Sequence, residues 1–385
     1  MTEKLKTMMD RAADLDFDAV DLAAIVESGD RTVRRRRTSL VGGVAALALA
    51  AGGLAVVLGG GDKAKDPGPA DGSIPEVSWV IGDTLHTPTA SYDLGGRAEA
   101  YVRTRVGYAF LVDEGTEGTV YSLVDGQVER IGAGAAGEVN LVGDENGSVV
   151  GWVDRSGEVP VYVTVDLATG ATDRHDEHLD AFMAGGEPPG LAWFFAIDDG
   201  TAYWTDLRGE VATDLATGES RVIATGDDLQ WIGDVADGLR VGLVEDDSGG
   251  DLGTDLRDRD GKVVLPSVDG RFFGAVSPEG RWVTTSDRAV IEVATGAELR
   301  LDVTAPDGTW FAYEWLDADT VAVVVDAGDA TDLLTCDLPE GTCETAVAGL
   351  TRDVLLPVGG YATELLANSG EESSATGTEE APATD

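Results

Sequence analysis

The chain has 385 residues, room for one large domain or two ordinary ones, with 27 Lys/Arg against 71 Asp/Glu and a net charge of −44. Residues 1–37 hold eight of each sign, so the whole net charge falls on the remainder, a surface that repels phosphate backbones and excludes nucleic acid as a partner. Solubility is the plain reason for such acidity, and attraction of cations or basic partners is the functional one.

In chain order, residues 1–33 repeat apolar positions at helical spacing (Leu5, Met8, Met9, Ala12, Leu15) and predict a short cytoplasmic helical segment. It is too short to hold a core alone, so it either binds a regulator or merely leads into the apolar run after it. That run, LVGGVAALALAAGGLAVVL at 40–58, has no charged or polar side chain and nearly the length a bilayer-crossing helix needs. RRRR at 34–37 precedes it, and positive charge stays inside. The expectation is a single uncleaved span over 38–60, N-terminus in the cytoplasm and everything later outside. A cleaved signal peptide is the rival; the long leader and the length of the apolar run stand against it. Residues 61–74 read as a Pro/Gly linker and 363–385 as a disordered acidic tail.

Residues 75–362 show short Val/Ile/Tyr/Trp runs cut by Gly/Asp/Asn turns, the pattern of an all-β domain. The phrase VDLATG at 165–170 returns as TDLATG at 213–218, and related turns place glycines at 126, 170, 218, 261, 296 and 341, a mean step of 43 residues. Asp accepts hydrogen bonds from the turn's own backbone, and Gly supplies the positive φ that closes it. A second set of turns (DENGS 144–148, DDGTA 198–202, ADGLR 236–240, SPEGR 277–281, DADTV 317–321) interleaves with the first. Two hairpins per repeat make four strands, the blade of a β-propeller. Six blades start near Arg97, Glu138, Leu191, Leu229, Arg271 and Thr309. The leftovers 76–88 and 348–358 predict a seventh blade shared between the two ends, six or eight blades being the alternatives.

VSPEGRWVTTSD, 276–287, resembles the Ser-Pro-Asp-Gly repeat of propellers related to TolB and to WD-repeat proteins. The whole layout is similar to membrane-anchored WD-repeat-like proteins of actinobacteria. Because such chains can accompany extracytoplasmic-function sigma factors, the resemblance permits a signalling role in which residues 1–33 contact a cytoplasmic regulator of that kind.

Candidate chemistry is sparse. Cys336 and Cys343 flank one hairpin loop and predict a cross-hairpin disulfide. DRHDEH, 173–178, offers His175, His178, Asp173 and Asp176 as weak metal ligands; a solvated polar loop is the competing reading. DSGG at 247–250 matches a protease nucleophile motif, but no histidine stands in a base motif, so a polar loop is expected. DENG and DRDG are explained by turn chemistry. The eight tryptophans are placed mostly in inner strands, for packing between blades. No catalytic residue and no cofactor is expected.

The leading functional expectation is a non-enzymatic scaffold or sensor binding a protein or peptide outside the cell. Transmembrane signalling is the first alternative. A funnel lyase or hydrolase is the second, and it predicts charged side chains with shifted pKa values converging at the channel mouth.

Overall fold

The computed structural model describes residues 76–361, apart from 114–116, 136–140, 158, 176–178, 180–191, 226–230, 246–250, 268–270, 287, 306–308 and 358–359. The expected helix at 1–33, the span at 38–60, the linker and the acidic tail all lie outside these residues. Among the described residues no helix is long and apolar enough to cross a membrane.

Seven antiparallel sheets are found among the described residues, and six have four strands in strict chain order. Their inner strands are Ala98–Arg103 (blade I), Val142–Gly143 (II), Phe194–Asp198 (III), Ile232–Ala236 (IV), Phe273–Val276 (V) and Trp310–Trp315 (VI). Blade VII joins the ends. Trp79–Ile81, Thr84–His86 and Ser91–Asp93 come from the N-terminal side of the domain, and Leu355–Leu356 pairs with Trp79–Ile81 as its inner strand. A further short strand, Gly360–Tyr361, continues the sheet past Leu355–Leu356. The shared seventh blade expected from the leftover segments is therefore present.

The middle strands of each blade are buried on both faces because blades sandwich them. Val161–Asp166 and Thr320–Asp326 are mainly Val, with interiors fully buried. Outer strands such as Thr172–His175 and Ala297–Arg300 face solvent and are polar. Flat, twisted sheets of this kind have no face that can stay dry alone, so each blade is stable only between neighbours.

The repeated phrase is a corner. All six aligned glycines have φ between 69° and 82° and close the hairpin between the third and fourth strands of their blades. In the two DLATG copies, Asp166 accepts the Ala168 amide at 2.8 Å, and Asp214 accepts those of Ala216 and Thr217 at 2.9 Å. The Thr217 amide, first among these donors, holds the exposed Asp214 carboxyl below its ordinary value. The second set of turns joins inner to second strands. Asp199–Gly200 and Asp237–Gly238 take positive φ at both central residues, the mirror-image turn that suits the right-handed twist of a hairpin.

Cys336 and Cys343 face each other in the ladder, 4.1 Å apart at Cα, and form a disulfide. Six of the eight tryptophans are buried, as packing between blades requires. Only Trp310 and Trp315 lie in inner strands; Trp79, Trp152, Trp204 and Trp282 occupy the next strand out. There both ring faces meet protein, which a position lining a channel does not offer.

Candidate functional site at the channel mouth

Each inner strand runs toward one face of the ring and turns back there. Thr104–Val106, Glu145–Asn146, Asp198–Asp199, Asp237, Pro278–Glu279 and Asp317–Ala318, one turn from each of blades I to VI, surround a funnel of about 740 Å³. Below it lies a narrower chamber of about 190 Å³, reached by Arg103, Asp144, Glu145, Asp234, Glu314 and Pro357. Acids outnumber bases at every level of the funnel.

Three of the five acids that line the chamber are structural. Asp144 accepts the Asn146 amide at 3.1 Å and the backbone amide of Gly200 in blade III. Asp198 of blade III accepts the Gly238 amide of blade IV at 3.0 Å, and Asp234 of blade IV accepts the Val276 amide of blade V at 2.6 Å. Each carboxylate thus ties its blade to the next through a backbone donor that the ladder leaves unused. Burial raises all three carboxyls above their ordinary value, Asp234 up to about 6, and the amide donors restrain the rise.

The other two have different surroundings. Glu314 is 2 % exposed and shares an ion pair with Arg103, 8 % exposed, whose Nη2 also donates to the Trp315 carbonyl at 2.7 Å. This clamp links blade VI to blade I across the closing blade. Burial by itself disfavours charge on Arg103, but attraction from Glu314 and then Glu145 outweighs it and keeps the guanidinium charged. Burial raises the Glu314 carboxyl, with Arg103 acting against it, and its Oε2 has no hydrogen-bond partner among the described residues. Glu145 is open to the funnel yet ringed by the inner turns. Desolvation first, opposed by Arg103 and reinforced by Glu314, Asp234 and Asp144, pushes its carboxyl up to about 8 from an ordinary 4.5.

A folded carboxyl raised in this way keeps a proton that the unfolded chain has already released, so stability falls as pH rises from about 4.5 to 8. Glu145→Gln removes that slope. The variant is expected to match the parent near pH 4 and to exceed it at pH 8 by on the order of 1 kcal/mol, discounted because channel water reaches the carboxyl. Urea unfolding across this range checks it, and parallel pH profiles for the two proteins would refute it.

Of the candidates named from sequence, His175 ends the outer strand of blade II, with its ring 5.1 Å from Trp204, and Asp173 is exposed beside it. Asp176 and His178 lie outside the described residues, as does all of DSGG, 247–250. Among the described residues no group of three or more His, Cys, Asp or Glu side chains is close enough to hold a metal ion. Asp258 of DRDG spends its carboxylate on the Asp260 and Lys262 amides at 3.0 and 2.9 Å, as turn chemistry requires. Sequence reasoning missed Arg103, Glu145 and Glu314 as a group. Arg103 and Glu314 stand 211 residues apart, and no local pattern joins them.

No protein-family model matches the chain, and no curated protein matches it. Solved structures are similar in fold. TolB from Acinetobacter baumannii aligns at 12 % identity and a TM-score of 0.39, over 73 % of this chain, which spans 66 % of that one. The β-propeller domain of the Trilobed protease from Pyrococcus furiosus, described as an open velcro topology, aligns at 12 % identity and 0.46, over 65 % of this chain and 84 % of that one. Dihydro-heme d1 dehydrogenase NirN aligns at 14 % identity and 0.41, over 75 % and 65 %. At such identities the likeness concerns the propeller fold and nothing finer.

Proposed function

We propose that this chain is a non-enzymatic propeller, held outside the cell by residues 40–58, that binds a segment of another protein or a peptide in its funnel. One observation carries the reading: six inner turns from six blades converge on a concave space of about 740 Å³, within the size range of ligand sites. A closed ring holds those turns rigidly, so binding there costs little ordering of the receptor. Photo-crosslinking tests it, with the reactive side chain placed at Val106 or Ala318 inside the funnel or at Val222 on an outer strand of blade III. Capture of one polypeptide from both funnel positions and not from Val222 is the expected result. Capture only from Val222 overturns it.

The enzyme reading has one observation in its favour, since Glu145, Asp234 and Arg103 are charged groups converging at the mouth with displaced pKa values. The inter-blade staple explains Asp234 and the closing clamp explains Arg103 without catalysis. Glu145 and Glu314 are left, and Glu314 is ion-paired to Arg103, which suits it poorly to partner Glu145 as an acid–base pair. The signalling reading is compatible with binding in the funnel. It predicts a cytoplasmic partner that co-purifies with the chain and is lost when residues 2–30 are deleted.

A further inference from the structure

Resting on the reading that the funnel binds a polypeptide segment, we infer that its anchor is an arginine side chain: the guanidinium enters the chamber and bridges the Glu145 carboxylate and the free Oε2 of Glu314.

Four observations lead there. The chamber holds a buried carboxylate, Glu314, 2 % exposed, with one oxygen taken by Arg103 and the other without a partner among the described residues. A buried acceptor left unmade costs more than an ordinary hydrogen bond gains, so the free oxygen marks a place for a donor. Glu145 faces the same space and belongs to no staple, unlike Asp144, Asp198 and Asp234, whose carboxylates are already engaged by backbone amides. The chamber volume, about 190 Å³, suits one side-chain head, while the funnel above it, with Tyr108 among its walls, is wide enough for the chain that carries it.

Arginine fits these demands better than the other cations. Its planar fork donates to two separate carboxylate oxygens at once, and it is weakly hydrated, so it enters a partly dry chamber at lower cost than an ammonium. A bare metal ion would need several close oxygens, and no such group exists among the described residues. Arg103 is held in place by Glu314 Oε1 and the Trp315 carbonyl, which leaves the other Glu314 oxygen for the ligand. Glu314 then serves two guanidinium groups, one on each oxygen.

Binding must also be proton-linked. The groups around Glu145 are Arg103, Asp144, Asp198, Asp234 and Glu314 in the chamber and Arg105, Asp199, Asp237, Glu279 and Asp317 in the funnel, so two cations stand among a larger number of acids. A second cation in the chamber favours the ionised carboxylate, so the proton held by Glu145 leaves as the ligand arrives. Affinity is expected to rise between about pH 6 and 8, a range in which ordinary surface carboxylates do not titrate.

Calorimetry on the full-length chain in detergent tests the assignment, with N-acetyl tri-arginine amide as probe. About 0.5 M salt, where the Debye length is roughly 4 Å, removes the general pull of the acidic surface. Expected are saturable one-to-one binding, proton release at pH 7, and affinity at least about fivefold above that of the tri-lysine analogue. The tri-citrulline analogue should not saturate. Glu145→Gln should weaken binding about tenfold, whereas Glu340→Gln, an exposed acid on the outer rim of the same face, should change it less than about twofold. Equal losses in the two variants would reduce the effect to surface charge and overturn the inference. So would tri-lysine binding as tightly, or calcium chloride competing through Glu145. A peptide without arginine that binds the funnel and is displaced by Ala318→Trp would overturn the arginine anchor and leave the scaffold reading intact. Failure of the funnel crosslinks removes the scaffold reading itself.

Discussion

Arg103→Met is expected to destabilise the propeller by about 3–5 kcal/mol, the scale on which proteins respond when half of a buried ion pair is removed. The substitution keeps most of the aliphatic volume and deletes the charge, so Glu314 is left in a site 2 % exposed with neither oxygen satisfied. The position magnifies the loss. Blade VII closes the ring with an inner strand of only two residues, Leu355–Leu356, and the clamp spans that seam from blade I to blade VI. The variant's stability should recover as pH falls, because protonation of Glu314 abolishes the unpaired charge, whereas the parent, in which Arg103 restrains the rise of that carboxyl, should gain less. Arg103→Met combined with Glu314→Leu should regain most of the loss, since well-packed apolar side chains replace buried pairs at little or no cost. Urea unfolding at neutral and acidic pH reads all three outcomes. A loss below about 1 kcal/mol for the single variant would show that the clamp does not hold the seam.

The ring is legible in the sequence because its corners are local. Gly126, Gly170, Gly218, Gly261, Gly296 and Gly341 each stand in a four- to six-residue phrase whose hydrogen bonds close within the phrase, so spacing alone locates the outer hairpins of blades I to VI. Blade starts at Arg97, Leu191, Leu229, Arg271 and Thr309 fall within three residues of the inner strands observed, and Glu138 within four. The seventh blade comes from arithmetic: segments left at both ends need each other's hydrogen bonds. The disulfide comes from the facing of Cys336 and Cys343 across a six-residue loop.

The site is only half legible, for a physical reason. Asp144 and Asp198 stand in turn phrases; Asp144 accepts the Asn146 amide within its own turn, whereas the Asp198 carboxylate accepts the Asp237 and Gly238 amides of blade IV. Their reach to the next blade depends on ring geometry that no single repeat contains. Glu145 sits one position after Asp144 in the same DENG turn, and sequence does not say which of the two carboxylates points into the channel. Arg103 and Glu314 occupy strand positions where a hydrophobic residue would fit the pattern equally well. A charged residue at a position whose neighbours are all buried, as in YVRTR and AYEWL, is the one available signal. Charged residues in otherwise buried strands are almost always paired, so each implies a partner somewhere on the ring.

The same dependence on the neighbouring blade sets the second large effect. Trp152→Ala is expected to cost about 3–5 kcal/mol, the range for truncating a large buried aromatic side chain. Trp152 is 1 % exposed in the second strand of blade II, and its Nε1 donates to the Ala133 carbonyl of blade I at 3.1 Å. Its ring lies over Gly132, so closely that a methyl group there would overlap the indole. Gly132 is therefore a packing glycine, small so that blade I can receive the ring. Gly132→Ala should itself destabilise, and by far less once Trp152 is Ala, because the added methyl then fills part of the space left. The cycle should give a coupling above about 1 kcal/mol, as residues in direct contact do. Since no blade is stable without its neighbours, the loss should appear as a shifted midpoint of one cooperative transition with an unchanged slope. Additive effects of the two substitutions would mean that blades I and II do not meet through this contact. A separate early transition would mean that they do not unfold together.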